Sequence, residues 1–254
     1  MEDLKYLQEL YKRTSKHANY QILSTRLSQL VDGKNLDIHS RYEAERLDYI
    51  LKNVAVDDKN ALDIGGNSGY FSFELLDKGA KNIHYYEGNR DHAEFVKIAA
   101  SFLGVTDRVF VTNRYFAFDE MDDVKGNYDL VLLLNVLHHI GDDFGERTLT
   151  LDNAKKRIIE QLNSLTDITS LVVFQLGFNW KGNRDMGLFE NGTKEEMIRF
   201  VTEGIRGYWK VVKIGIARQI NGIIVYEDLN DWNIQREDCL GEFLNRPLFI
   251  LEKQ

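Results

Sequence analysis

Cysteine and proline are almost absent: Cys239 and Pro247 stand alone in 254 residues. A lone cysteine excludes an internal disulfide and any cysteine-cluster metal site, and it suits a reducing compartment. Long apolar runs are missing too. No stretch approaches the roughly 18 apolar residues of a membrane span. The opening "MEDLKYLQELYKRTSKHANY" carries charges throughout, without the apolar centre of an export signal. The expectation is a cytoplasmic protein with no membrane contact. Basic charge is in deficit, with 32 Lys and Arg against 40 Asp and Glu, a formal net charge of -8. That balance argues against a broad phosphate-gripping face, although a local basic patch is compatible with it. No internal repeat, low-complexity tract or linker interrupts the sequence, so residues 1–254 are expected to form a single domain.

What is present is periodicity. Leu4, Leu7, Leu10 and Tyr11 recur at helical spacing, as do Leu23, Leu27 and Leu30, with Asp32 and Gly33 punctuating the second run. Ser40 and Glu43 have the spacing of a capping box and predict a third helix from about residue 40. From Asn60 onward short apolar runs alternate with helical patterns: "ALDIG", "NIHYYEG", "RVFVTN", "YDLVLLLN" and "SLVVFQLG". Alternation of this kind predicts a parallel sheet with helices on both faces, and the near-continuous apolar runs suit strands buried on both sides. Beyond Gly177 a loop leads to a second capping box, Thr193 and Glu196. Two β-rich runs then flank Asn221-Gly222, a strong hairpin signal, and "RPLFILEK" can add a further strand behind Pro247.

The run "ALDIGGNSGYFS" ends a strand in Asp63 and then breaks into Gly65, Gly66 and Gly69. In open parallel sheets ligands collect at the carboxyl ends of the strands, and glycine admits a ligand where a Cβ would clash. A tight connection without a ligand is the alternative. Glu87 ends the next strand 22 residues after Gly65, about the spacing at which such folds place a carboxylate on ribose hydroxyls. A dinucleotide site asks for G-x-G-x-x-G, and Asn67 breaks that pattern. Asp63 makes it D-x-G-x-x-x-G instead, and an acid there suits a ligand with a cationic amino acid end.

These residues resemble the class I S-adenosylmethionine-dependent methyltransferases. "LDIGGNSGYFS" is similar to their first motif, "YYEGN" to the acidic end of the second strand, "VTN" to the end of the third and "YDLVLLLNVLHHI" to the fourth. The resemblance implies a Rossmann-like, seven-stranded, mostly parallel sheet, with residues 1–52 a helical cap, 58–178 the cofactor-binding core and 179–254 antiparallel strands and substrate-side elements. It implies that Asp63, Gly65, Gly66, Asn67 and Gly69 hold the methionine end of S-adenosylmethionine. Glu87 takes the ribose, Asn113 the adenine side and Asn135 the floor beside the sulfonium. Asn67 stands where the family often has glycine, and Asn113 where it often has an acid; both substitutions preserve a usable turn or hydrogen bond.

Methyl transfer to a hydroxyl or protonated amine also needs a base, and a histidine suits that task at neutral pH. His139 and His138 follow the fourth strand, with His139 favoured because it lies nearer the loop; packing under the sheet edge is the alternative for both. Asp142, Asp143 and Glu146 read as a solvated acidic loop in preference to a Mg²⁺ site, so no metal is expected. Gln175, Asn179, Trp180, Lys181 and Arg184 form a group suited either to substrate recognition or to an ordered loop. Arg41 and Tyr42, opening the third helix, suit capping and packing there in preference to closing over the cofactor, and His17, His39, His84 and His92 show no partner spacing. The expected function is methylation of a small molecule such as a sugar or other hydroxylated metabolite. A tRNA wobble-uridine enzyme, a non-catalytic methyltransferase-like scaffold and, more remotely, a nicotinamide enzyme are the alternatives.

Overall fold

The computed structural model describes residues 2–13, 20–31, 36, 38–120 and 127–254. The expected stop at Asp32 and Gly33 lies outside the described residues, as does His17. The chain forms two compact units, one of residues 1–47 and 54–116, the other of residues 48–53 and 117–254. Among the described residues no helix is long and apolar enough to cross a membrane.

In the first unit, three parallel strands lie in the order β3 (Val109–Thr112), β2 (Asn82–Tyr86), β1 (Asn60–Ile64). The register pairs Asp63 with Tyr85 and Ile64 with Tyr86, which brings the ends of β1 and β2 level. The leucine spacing near the amino end produces α1 (Glu2–Lys12) and α2 (Thr25–Leu30), both packed on α5 (Arg90–Leu103). The capping box does not form as its spacing suggests. Helix α3 (Glu43–Asn53) starts at Glu43 itself, because the buried Glu43 carboxylate turns back to accept the Arg41 N–H at 2.9 Å and the Ser40 hydroxyl at 3.1 Å. Tyr42, between them, takes a left-handed φ of 57°. Helix α4 (Tyr70–Asp77) follows the glycine turn and packs on β2.

The second unit carries five strands in the order β4 (Leu130–Leu134), β5 (Leu171–Gln175), β8 (Leu248–Lys253), β6 (Trp209–Ile220), β7 (Ile223–Asp228). β4 and β5 are parallel, and every later pairing is antiparallel. Val131, Leu132 and Leu133 are consecutive and inaccessible, as are Val172, Val173 and Phe174, the burial of strands covered on both faces. Asn221 and Gly222 both take positive φ, as the tight turn between β6 and β7 requires. Helices α6 (Leu151–Ser164), α7 (Lys194–Gly204) and α8 (Gly241–Leu244) complete the unit, and α7 begins at the Thr193–Glu196 box with both reciprocal bonds made.

The chain therefore has a mixed α/β fold with eight strands where seven were expected. The difference lies at the carboxyl end: both arms of the hairpin and the final run all pair, so three antiparallel strands follow β5.

Candidate functional site

Between β1 and α4 the backbone enters the left-handed region three times, at Gly65 (φ 71°), Asn67 (φ 52°) and Gly69 (φ 78°). Asparagine is among the few non-glycine residues that tolerate this. Gly69 is the residue before α4 and brings no side chain to cap it. The first turn of the helix is satisfied from elsewhere. Asp63 accepts the Ser72 hydroxyl at 2.7 Å and is also bonded by the Ser72 N–H. Gln21 Oε1 accepts the Tyr70 N–H at 2.9 Å and the Ser68 hydroxyl at 3.0 Å.

Asp63 is only 4% exposed. Burial pushes its carboxyl up to about 6; the bond from Ser72 opposes the shift and the negative charge of Glu87 adds to it. Glu87 caps two turns at once, accepting the Asn67 N–H at 3.0 Å and the Asn89 N–H at 2.8 Å. Asn113 donates to the Glu87 carbonyl at 2.9 Å. Asp63, Gly65, Gly66, Asn67, Gly69, Glu87 and Asn113 are thus assembled within one unit.

The space at Gly66 has a particular occupant. A Cβ there would lie 2.5 Å from Cε2 of Tyr85 and 2.7 Å from Asp63 Oδ2. The buried Tyr85 ring fills that position and its hydroxyl donates to the Asn67 carbonyl. Burial, then the charges of Glu87 and Asp63, push the Tyr85 hydroxyl well above its ordinary pKa. Gly66 therefore admits a protein ring where a side chain would clash. Gly88 does the same for the ring of Tyr115.

In the second unit, Asn135 follows β4 with φ 62°. Its amide is oriented twice over, donating to Gln175 Oε1 at 2.9 Å and accepting from Arg246 Nη1 at 2.7 Å. Arg246 is held by Glu242, with Nε–Oε1 at 3.0 Å and Nη2–Oε2 at 2.6 Å. Burial raises the Glu242 carboxyl, but the Arg246 charge and hydrogen bonds outweigh it and hold the group below its usual range.

His138 and His139 end a 3-10 turn, with ring centroids 4.2 Å apart. His138 is buried and its Nδ1 accepts the Gly177 N–H at 3.2 Å, which puts the proton of the neutral ring on Nε2. It lies where a Cβ on Gly177 would be 2.7 Å away. His139 Nδ1 instead lies 3.3 Å from Asp143 Oδ2, within ion-pair distance but outside hydrogen-bond geometry. His139, Asp142 and Asp143 bring ligand atoms within 4.8 Å of one another, which exposed acidic loops commonly do without an ion. Glu146 is elsewhere engaged, taking the Thr148 hydroxyl at 2.6 Å. Trp180 is buried and donates to the Ile140 carbonyl at 2.7 Å, so it braces one loop against another.

No known family model and no curated protein matches the sequence. Solved structures do match. WbdD, crystallised with a kinase inhibitor, superposes with a TM-score of 0.57 at 17% identity, over 97% of this chain and 47% of that one. A candidate hemolysin from Streptococcus thermophilus gives 0.52 at 17% identity, over 87% of this chain and 69% of that one. SMU.776, a candidate methyltransferase complexed with SAH, gives 0.52 at 10% identity, over 83% and 49%. The fold is that of the class I methyltransferases. This chain spans about half the length of WbdD and of SMU.776.

Within this methyltransferase-type fold, the residues that sequence reasoning missed are the ones that hold others in place. Ser72 and Gln21 fix the first turn of α4, Tyr85 fills the glycine turn, and Arg246 and Glu242 orient Asn135. Ser72 was the most accessible of them, since a hydroxyl in the first turn behind D-x-G-x-x-x-G is placed to reach the acid. The others arrive from distant sequence and carry no local signal.

Proposed function

We propose that the protein is an S-adenosylmethionine-dependent methyltransferase whose acceptor is a small molecule such as a sugar or other hydroxylated metabolite. The observation that carries the reading is the pair Asp63 and Glu87, on the ends of adjacent strands, joined by the turn whose Asn67 N–H Glu87 accepts. The donor set fits this cofactor. A buried carboxyl raised to about 6 gains from a cationic partner, which an α-ammonium supplies. A second carboxylate and the Asn113 amide offer hydrogen bonds to ribose and adenine edges. The likeness of fold supports the same reading.

When bound, S-adenosylmethionine supplies an electrophilic methyl group on a sulfonium. Asp63 would bind the ammonium, Glu87 the ribose hydroxyls and Asn113 the adenine side. In the second unit His139, beside Asp143, would be the group to accept a proton from an attacking hydroxyl; the buried, backbone-bonded His138 keeps the loop in shape. Most of the acceleration comes from holding the two reactants in line, an effect that reaches roughly 7–11 kcal/mol. The net charge of -8 favours a small acceptor over a nucleic acid.

Titration calorimetry with S-adenosylhomocysteine tests the reading: micromolar binding by the wild type, weakened roughly tenfold or more in Asp63→Ala and in Glu87→Ala. Unchanged affinity in both variants overturns it. Incubation with methyl-labelled cofactor and either a sugar-metabolite pool or bulk tRNA tests the acceptor class; label in tRNA, lost steeply with added salt, moves the acceptor to RNA.

A further inference from the structure

Gln21 lies on the short segment between α1 and α2, outside every motif legible in the sequence. Its side chain is 8% exposed and sits at the amino end of α4. The Tyr70 N–H can only donate, so the atom it meets at 2.9 Å is the amide oxygen; the Ser68 hydroxyl shares the same oxygen at 3.0 Å. That assignment leaves Nε2 with two N–H donors. Neither has a hydrogen-bond partner among the described residues, where both bonds of this side chain end on Oε1. An amide nitrogen with both donors open beside a helix amino terminus adds them to a field that already favours negative charge.

Gln21 and the start of α2 are each tied to the rest of the unit. The Tyr11 hydroxyl donates to the Gln21 carbonyl at 2.6 Å, the Thr25 N–H to Glu74 Oε1 at 2.5 Å, and Arg26 to Asp77 at 2.9 Å and to the Leu103 carbonyl at 2.9 Å. Gln21 and Asp63 therefore grip the same helical turn at Tyr70 and Ser72, one presenting N–H donors and the other a carboxylate. An ammonium and a carboxylate on one carbon need such a pair.

We propose that Gln21 is a ligand-binding residue whose Nε2 donates to the carboxylate of the amino acid end of the cofactor, as Asp63 accepts from its ammonium. The proposal rests on the methyltransferase reading and extends it to a residue of the amino-terminal segment.

Gln21→Glu is the test, because it keeps an oxygen for Tyr70 and Ser68 and replaces only the donor. Binding is measured for S-adenosylhomocysteine and for 5′-methylthioadenosine, which lacks the amino acid end, alongside a thermal melt. Expected are a loss of roughly tenfold or more for S-adenosylhomocysteine, no change for 5′-methylthioadenosine and an unchanged melt. Equal affinity of variant and wild type for S-adenosylhomocysteine overturns the proposal and leaves the reading standing. Equal weakening of both ligands also overturns it, since Gln21 then acts only through the shape of the turn. A wild type that binds neither ligand ends the reading and the proposal together. Gln21→Met, uncharged and of similar bulk, replaces the glutamate variant should that fail to fold; it also takes the acceptor from Tyr70 and Ser68, so a lower melt is expected and the selective loss of S-adenosylhomocysteine against 5′-methylthioadenosine is the readout.

Discussion

Asp63→Asn separates what the acid costs the fold from what it does for a ligand. The carboxyl is moved from its ordinary 3.8 to about 6, first by burial. The folded protein then holds this proton more tightly than the unfolded chain does, by about 3 kcal/mol. The sign follows directly. Stability from the protonated form is fully present below 3.8, and it is lost as pH rises through about 6. Asparagine imitates the protonated acid, keeps an oxygen for Ser72 and cannot ionise. Urea unfolding of both proteins at closely spaced pH values between about 3.5 and 8 isolates the effect, because other titrating groups cancel in the difference. Relative to the variant, the wild type is expected to lose about 3 kcal/mol between the acid and neutral ends of that range. At neutral pH the variant is therefore the more stable protein while failing to bind S-adenosylhomocysteine, a trade of stability for function. Parallel stability curves for the two proteins across the whole range would refute the reasoning.

Two further outcomes bear on the site. Gly66→Ala drives a methyl group into the Tyr85 ring and the Asp63 carboxylate; thermal melts are expected to show a loss of about 1–3 kcal/mol, and Gly66→Ala combined with Tyr85→Leu should recover part of it. His138→Ala leaves the Gly177 N–H without its acceptor in a buried place and should cost about 2 kcal/mol by urea unfolding, whereas His139→Ala should leave stability nearly unchanged and lower turnover.

The parts of the fold legible in the sequence are those set by local chemistry. Asn221-Gly222 specified its turn because both residues accept positive φ, and Thr193 with Glu196 specified the start of α7 because both bonds close within four residues. The uninterrupted apolar runs at 130–134 and 171–174 became strands with no accessible face at their centres. Ser40 and Glu43 share the spacing of the second box yet form a different structure, since Glu43 is drawn into burial beside Arg46 and spends its carboxylate on Arg41. The glycine turn, Asp63 and Glu87 were recognisable as a pattern, but Tyr85 at Gly66 was not. That contact depends on the pairing of β1 with β2, which no local signal encodes. Gln21 was invisible for the same reason: its partners, Ser68 and Tyr70, are nearly fifty residues away.

The placement of β8 changes what trimming the carboxyl end means. Residues 248–253 are flanked on one side by β5 and on the other by β6, so they act as a keystone. The β6–β7 hairpin can close by itself, but it reaches β4 and β5 only through this one strand. Cutting the chain ahead of Leu248 would not shave an outer border. It would part the β6–β7 hairpin from the strands on the far side of β8, leaving β5 and β6 each with an open row of amides and carbonyls inviting other chains to pair.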